Sequence, residues 1–312
     1  MSAITVVVSC SSSAEQVSAF LRHLASLGEA GATHLVLTTL PGLPALQPPE
    51  GFRSVQRLGI DPGVGSEHVR ARAVRDARTE VVAFVEDHVR FAGPWVERAV
   101  RTLADGSAAA LGWTVLAGGA GELLRMAGWL VEYSPWGPGR EAGPADHLAG
   151  HNCIYRRDAL LALGAELPSL LRAESVLHWH LRRTGRTLLF SRELVMAHYS
   201  LPTVPLQLLT DFWYGWNFGD ARARDEGWTR RTRLLRAASA PAVPAVRALR
   251  LLRAAGANGV RRRVLLRCAP VAALKLVAGA MGEAAGALLG ERGSSARLTR
   301  LDTAPRNLQD AR

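Results

Sequence analysis

The sequence predicts an α/β protein in which a mixed, mostly parallel sheet is flanked by helices. Two continuous apolar runs, residues 4–9 and 81–85, lack the alternation of a half-exposed strand. Such runs suit central strands that are covered on both faces. Apolar residues at helical spacing, such as Phe20, Leu24 and Leu27, lie between the two runs. Strands that alternate with helices in this way are typical of a doubly wound sheet.

The remaining elements continue this alternation. Further strands are predicted at residues 34–39, 54–58, 108–116, 188–190 and 194–197. Helices are predicted at residues 66–77, with Ser66 as the cap, at 94–103 and at 172–184, and a short strand followed by a helix at 149–160. Residues 118–150 are rich in Gly, Pro and Trp, which predicts loops lining a cleft. Their Trp129 and Trp136 fit ordinary packing and substrate contact equally well.

The second apolar run ends in three polar side chains that could bind a metal. If the chain stays extended there, Glu86 and His88 point to one side and Asp87 to the other. Ligands of parallel sheets bind at the carboxyl ends of the strands. This stretch therefore predicts an active site, although taken alone it also fits a polar strand end without function.

Composition restricts the class of protein. A hydrophobic content of 48% in 312 residues indicates a globular chain of one large or two modest domains. The three cysteines, Cys10, Cys153 and Cys268, are too far apart for a zinc motif and suggest no disulfide framework. No basic segment precedes the first apolar run, so we expect no secretory signal and a cytoplasmic protein.

The positive charge is concentrated near the C-terminus. Residues 222–312 hold 19 Lys and Arg against 6 Asp and Glu, whereas residues 1–221 hold 19 against 21. We predict a catalytic domain at 1–205, a basic helical extension at 206–293 and a disordered tail at 294–312. The asymmetry favours an anionic membrane surface as partner. Nucleic acid is not expected, because few aromatic residues accompany the arginines.

The apolar part of this extension is interrupted by charges. Arg267, Lys275 and Glu283 divide residues 264–290 into uncharged runs of seven. We expect these runs to be too short to span a bilayer, which needs about 18 apolar residues. A pair of amphipathic helices lying in the membrane interface is predicted instead. The alternative is an appendage that packs on the catalytic domain or on a second subunit.

Five segments occur in an order that resembles the family 2 glycosyltransferases, which have the GT-A fold. The resemblance covers residues 4–200, about two-thirds of the chain. The segments are Val69-Arg70-Ala71, Glu86-Asp87-His88, Arg156-Arg157-Asp158-Ala159-Leu160, Glu174-Ser175 and His198. The chain departs from the family where Glu86 and His88 replace two aspartates, and where Ser175 replaces the aspartate that often acts as base.

The resemblance implies a metal site. It assigns Glu86, His88 and His198 as ligands of a divalent ion, Mn²⁺ or Mg²⁺. Oxygen ligands combined with imidazole suit Mn²⁺ and tolerate Mg²⁺. A strand-end histidine such as His198 is, considered alone, more often a packed residue.

The resemblance also implies roles toward the substrates. It assigns Ser9, Arg70 and Asp87 to the nucleotide-sugar donor, with Arg70 as a positive fork for phosphate. Glu174 is the remaining carboxylate of its motif and the implied general base. A glutamate favoured by the helix dipole is the alternative for Glu174.

The implied function is an inverting glycosyltransferase, peripheral on the cytoplasmic face of the membrane. Its partners would be a nucleotide-sugar donor and a lipid-linked or cell-surface glycan acceptor. A GT-A-like protein that binds a nucleotide without catalysis is the first alternative, suggested by the changed metal motif and Ser175. Nucleic-acid binding through the basic extension is the second.

Overall fold

The computed structural model describes residues 3–39, 46–61, 63–119, 122–201 and 203–302. The strands in these ranges are β1 (Ile4–Ser9), β2 (Thr33–Thr39), β3 (Ser54–Gly59), β4 (Val81–Glu86), β5 (Val89–Phe91), β6 (Ala108–Ala117), β7 (Gly143–Pro144), β8 (Cys153–Arg156) and β9 (Thr187–His198). The helices up to β9 are α1 (Ala14–Ser26), α2 (Ser66–Asp76), α3 (Val96–Leu103), α4 (Leu123–Glu132), α5 (Arg157–Leu161), α6 (Leu167–Leu171) and α7 (Glu174–Arg183). After β9 the described chain is helical: α8 (Val204–Asp225), α9 (Arg230–Ala238), α10 (Val243–Ala257), α11 (Arg262–Leu289) and α12 (Ser294–Asp302).

The described strands form one mixed sheet in the order β3-β2-β1-β4-β8-β6-β9-β5, with β7 paired to β9. The pairs β3–β2, β2–β1 and β1–β4 are parallel, as is the pair β6–β9. β8 pairs antiparallel with β4 and β6, and β5 pairs antiparallel with β9. β1 and β4 are almost fully buried, which explains their unbroken apolar sequences. The predicted α/β class is therefore confirmed.

Strand register brings the polar strand ends together. Ser9 at the end of β1 lies opposite Glu86 at the end of β4. The chain then turns through Asp87 and His88 into β5, where Val89 lies opposite His198 of β9. His88 and His198 thus become neighbours although 110 residues separate them in the chain.

Two predictions for the middle of the chain were wrong. Residues 118–150 are not all loop, because α4 forms within them and buries Trp129, whose indole N–H donates to the carbonyl of Val115 at 2.9 Å. Trp129 is thus a packing residue. The two strands predicted at 188–190 and 194–197 are one continuous β9, because shifts in its register with β6 accommodate the polar residues between them.

The last helices pack on the sheet domain. α8 and α11 approach closely through glycines, since a Cβ atom on Gly282 would lie 1.9 Å from the carbonyl oxygen of Phe212. Cys268 of α11 and Ala255 of α10 belong to the same buried core as the sheet. The extension therefore packs against the sheet domain, as in the alternative given above, and the boundary at 205/206 stays a prediction.

α11 also corrects the expectation about bilayer length. By length and composition this helix could cross a membrane, and one-third of its most apolar window is buried inside the protein. Its charges do not interrupt it, because Lys275 is buried and pairs with Glu132 at 2.8 Å and Asp211 at 2.7 Å. Glu283 similarly pairs with Arg247 at 2.6 Å.

The prediction that residues 294–312 are disordered was wrong for their first half. α12 docks on the sheet domain, where Ser295 donates to Glu67 at 2.5 Å and the hydroxyl of Thr299 accepts from the backbone N–H of Ser66 at 3.0 Å. Ser66 is the first residue of α2 rather than its cap, since the preceding Gly65 takes the cap position with φ 101°. Residues 303–312 lie outside the described part of the chain.

Candidate functional site

Glu86, His88 and His198 form a compact cluster at the carboxyl end of β4. One ligand atom from each lies within 4.8 Å of the others. Both imidazoles direct Nε2 toward Oε2 of Glu86, at 3.7 Å for His88 and 3.2 Å for His198. The structure thus brings together the three residues that the sequence assigned to a metal.

Two residues that sequence reasoning did not assign hold the carboxylate in place. The side-chain oxygen of Asn152 accepts from the backbone N–H of Glu86 at 3.0 Å, and its amide donates to Oε2 of Glu86 at 2.6 Å. The hydroxyl of Tyr133 donates to the same oxygen at 3.3 Å. Asn152 comes from the turn before β8 and Tyr133 from the end of α4, so no local pattern joins either of them to Glu86.

The charge states of the cluster suit metal binding. Burial favours the neutral carboxyl, but His88 and the hydrogen bond from His198 hold the pKa of Glu86 well below its usual value. Burial lowers the pKa of His198, although its hydrogen bond with Glu86 opposes this shift. An ionised carboxylate and a neutral imidazole are the forms in which these groups bind a metal. Nδ1 of His198 is buried without a hydrogen-bond partner in the described ranges.

A small cavity of about 50 Å³ adjoins the cluster on the β1 side. Its lining includes Ser9, Arg70, Glu86 and His88. Two of the three residues that the sequence assigned to the donor therefore lie beside the metal cluster. The guanidinium of Arg70 is already engaged, because it donates to Glu174 at 2.6 Å and to the carbonyl of Leu171 at 2.5 Å.

Asp87, the third predicted donor residue, does not line the small cavity. It is 1% exposed, and its carboxylate accepts hydrogen bonds from the backbone N–H groups of Ser11 and Ser12 at 2.7 and 2.8 Å. Both serine hydroxyls donate to it as well. This geometry gives Asp87 a structural role in holding the loop after β1, and its contact with a nucleotide stays a prediction.

Glu174, the predicted base, is buried at the start of α7 and carries two partners on one oxygen. Oε1 accepts from Arg70 at 2.6 Å and lies 3.2 Å from Nδ1 of His151. Burial would raise the pKa of Glu174, but the charges of His151 and Arg70 hold it below its usual value. The carboxylate is thereby ionised and closely held.

A larger cavity of about 560 Å³ begins at the metal cluster and extends beneath α8, α10 and α11. Its wall combines apolar and aromatic side chains with a few charged ones, including Trp136, Trp179, Leu251, Leu276 and Lys275. This volume lies in the range typical of ligand sites. His151 and Arg172 line both this cavity and the small one. Trp136, which the sequence left open, is both packed and on the cavity wall.

The comparisons with known proteins support the fold. No family model matches the chain, and the search of curated proteins gives no match. Among solved structures, the mannosyltransferase PcManGT from Pyrobaculum calidifontis, in complex with GDP-Man and Mn²⁺, is similar with a TM-score of 0.52 and 13% identity, over 90% of this chain and 86% of that chain. GalNAc-T7 with UDP, GalNAc and Mn²⁺ has a TM-score of 0.44 and 13% identity, over 63% of this chain and 43% of that one. A mycobacterial protein has a TM-score of 0.41 and 12% identity, over 71% and 73% of the two chains. The likeness to PcManGT shows that this chain has the GT-A fold.

Proposed function

We propose that the protein is a metal-dependent glycosyltransferase that uses a nucleotide-diphosphate sugar. The observation that carries this proposal is the Glu86–His88–His198 cluster at a strand end of a GT-A fold, placed between the two cavities. A divalent ion, Mn²⁺ or Mg²⁺, held by these side chains would neutralise the charge of the leaving diphosphate. The complex of the similar PcManGT with GDP-Man and Mn²⁺ supports this class of donor.

The chain's own residues would bind the donor and orient the acceptor. Ser9 and Arg70 line the small cavity and would contact the nucleotide diphosphate. We propose a single in-line displacement, which inverts the anomeric carbon and needs no covalent enzyme intermediate. In that step the acceptor must lose a proton to a base near Glu174.

The large cavity is the proposed acceptor site. It adjoins the metal cluster and is lined mainly by apolar and aromatic side chains, among them Trp136, Trp179 and Leu276. Aromatic faces suit sugar rings and apolar walls suit a lipid chain. A lipid-linked or cell-surface glycan acceptor is therefore proposed.

We propose that the extension attaches the protein to the cytoplasmic face of an anionic membrane. α9 and α10 expose large apolar side chains to solvent, with Leu235 71% and Leu249 58% exposed. Arginines lie among them, as expected of helices that rest on anionic headgroups, where each basic residue contributes about 1 kcal/mol. α10 also lines the proposed acceptor cavity, so a membrane-bound acceptor would enter it from that side.

Calorimetry of nucleotide-sugar binding tests the metal and the donor. We expect UDP-, GDP- or TDP-sugars to bind at least about 10-fold more tightly with Mn²⁺ than with EDTA, since the ligands of the ion are preformed. His88→Ala should remove this gain, whereas His68→Ala, which changes an exposed histidine of α2, should retain it. Equal binding in Mn²⁺ and EDTA would contradict the proposal. Metal-dependent binding without any turnover would instead indicate a binding protein that has lost catalysis.

Vesicle flotation of the full-length protein tests the membrane proposal. We expect binding to vesicles that contain phosphatidylglycerol and partial release by high salt, because salt screens the arginines but not the apolar contacts. The double variant Leu249→Asp/Leu252→Asp should float less, and Val55→Asp, at an exposed valine of β3, should float like wild type. If the wild-type protein floats with neither anionic nor neutral vesicles, membrane attachment is excluded.

A further inference from the structure

His151 lines both cavities and lies beside Glu174. Its Nδ1 is 3.2 Å from Oε1 of Glu174, and its side chain is 29% exposed whereas that of Glu174 is 6% exposed. It is thus the more accessible member of the pair. Its ring packs against Tyr214 of α8, with ring centres 4.8 Å apart.

The position of Glu174 favours a proton on one nitrogen of His151. Oε1 also accepts from Arg70 at 2.6 Å, so the carboxylate is ionised and can act only as an acceptor. We therefore assign the proton of the neutral ring to Nδ1, the nitrogen that lies 3.2 Å from this oxygen. Nε2 then carries the lone pair and can accept a proton.

The local sequence fits this pairing. Gly150 precedes His151, and a Cβ atom at that position would lie 2.0 Å from Cβ of Glu174. Only glycine allows the turn to approach α7 so closely. Other polar groups that line the small cavity with His151 include Arg70 of α2, Arg172 after α6, Tyr214 of α8 and Glu86 of β4.

Glu174 is poorly placed to act as the base itself. Arg70 and His151 both occupy its Oε1, and an ion pair with a buried guanidinium makes a carboxylate a weaker proton acceptor. A histidine oriented by a buried carboxylate, in contrast, is a common device for proton transfer.

We propose that His151 is the general base of the transfer and that Glu174 is its positioning residue. This inference rests on the proposed glycosyltransferase function. The acceptor hydroxyl gives its proton to Nε2 of His151 while its oxygen forms a bond to the anomeric carbon of the donor. The bond between that carbon and the diphosphate oxygen breaks, and its electron pair leaves with the nucleotide diphosphate. Glu174 holds the imidazole by its Nδ1–H and stabilises the charge that develops on it.

Hydrolysis of nucleotide sugars, with water in place of the acceptor hydroxyl, tests this role. The probe is whichever of UDP-glucose, GDP-mannose and TDP-glucose wild type cleaves in Mn²⁺. His151→Ala should lower kcat by about 10²-fold or more with donor affinity within about 3-fold of wild type. Added imidazole should restore part of the rate, as it would not for a purely structural residue. His180→Ala, which breaks a similar pair at 2.9 Å between α7 and Asp225 of α8, should change neither kcat nor donor affinity.

Nitrogen-15 NMR of the histidines tests the pairing without catalysis. We expect Nδ1–H with unprotonated Nε2 for His151 in the wild type, and loss of that preference in Glu174→Gln. Normal turnover of His151→Ala, or the opposite tautomer, would overturn the inference and leave the glycosyltransferase proposal standing. A wild type that neither binds nor cleaves a nucleotide sugar would overturn both.

Discussion

Asn152 binds Glu86 at two points, accepting from its backbone N–H at 3.0 Å and donating to its Oε2 at 2.6 Å. The amide therefore fixes both the end of β4 and the orientation of the carboxylate.

Groups that orient metal ligands in this way are typically worth a factor of about 10–100 in metal affinity. We expect Asn152→Ala to weaken Mn²⁺ binding by that factor, measured by calorimetry. Asn258→Ala, which removes an amide that binds the backbone of Ser134 and Gly139, should leave the affinity unchanged. Unchanged affinity in Asn152→Ala would show that Glu86 does not depend on the amide.

We expect α12 to move when a nucleotide enters the small cavity. The cavity holds only about 50 Å³ with Ser295, Leu298 and Thr299 on its wall, whereas ligand sites typically measure about 300–1,000 Å³. Leu298→Ala should loosen α12 and raise nucleotide affinity by about 3–10-fold, because less of the binding energy is used to displace the helix. Arg300→Ala, on the exposed face of α12, should not. Weaker binding in Leu298→Ala would show instead that α12 forms part of the donor site.

His178 makes stability depend on pH. It is fully buried, with Nδ1 accepting from the backbone N–H of Leu148 at 3.2 Å and Nε2 2.8 Å from the hydroxyl of Tyr155. Burial lowers its pKa to about 3. Between about pH 6.5 and 3 the unfolded chain thus binds a proton that the folded chain does not. The free energy of unfolding therefore decreases by about 1.4 kcal/mol for each pH unit by which the pH is lowered.

Urea unfolding at pH 7.5, 6.5, 5.5 and 4.5 measures this dependence. Wild type should lose stability below about pH 6.5, and His178→Gln should show a shallower slope although it is less stable at every pH. His68→Gln should keep the wild-type slope, because the side chain is exposed. Parallel slopes for wild type and His178→Gln would contradict the prediction.

The contact of α8 with α11 depends on glycines. A Cβ atom on Gly282 would lie 1.9 Å from the carbonyl of Phe212, whereas one on Gly256 of α10 would meet nothing within 4 Å. Gly282→Ala should lower the free energy of unfolding by about 1–3 kcal/mol because the helices must separate. Gly256→Ala should raise it by about 0.5–1 kcal/mol, since alanine restricts the unfolded chain. If Gly282→Ala and Gly256→Ala change the free energy of unfolding equally, as measured by chemical unfolding, α8 and α11 can repack freely.

Much of the sheet and part of the site could be predicted from the sequence. β1 has its predicted bounds, and β4 is one residue longer than predicted. Both strands could be predicted because buried strands need continuous apolar side chains, a pattern that is visible in the local sequence. Glu86 and His88 belong to one cluster, although the chain turns at Asp87 and His88 and does not stay extended as the prediction assumed. α4 was missed because Gly, Pro and Trp at its ends resemble a loop, although tertiary packing of Trp129 stabilises the helix.

The partners of the predicted residues could not be predicted in the same way. His151, Asn152 and Tyr133 carry no motif, and each reaches the site from a segment far away in the chain. Arg70 and Glu174 both belong to the family-like order, yet their mutual ion pair arises only because α2 packs against α6, which leads into α7. Roles that depend on such contacts cannot be read from spacing.

The sequence by itself determined the α/β class, the strand that ends in Glu86 and the basic character of the last helices, because apolar periodicity and charge are local properties. Tertiary structure alone decided that His198 joins Glu86 through the pairing of β5 with β9. It also decided that Lys275 of α11 pairs with Glu132 and Asp211 inside the protein. These outcomes depend on which distant surfaces pack against one another, since burial and pairing set the charge, the orientation and the neighbours of each polar side chain.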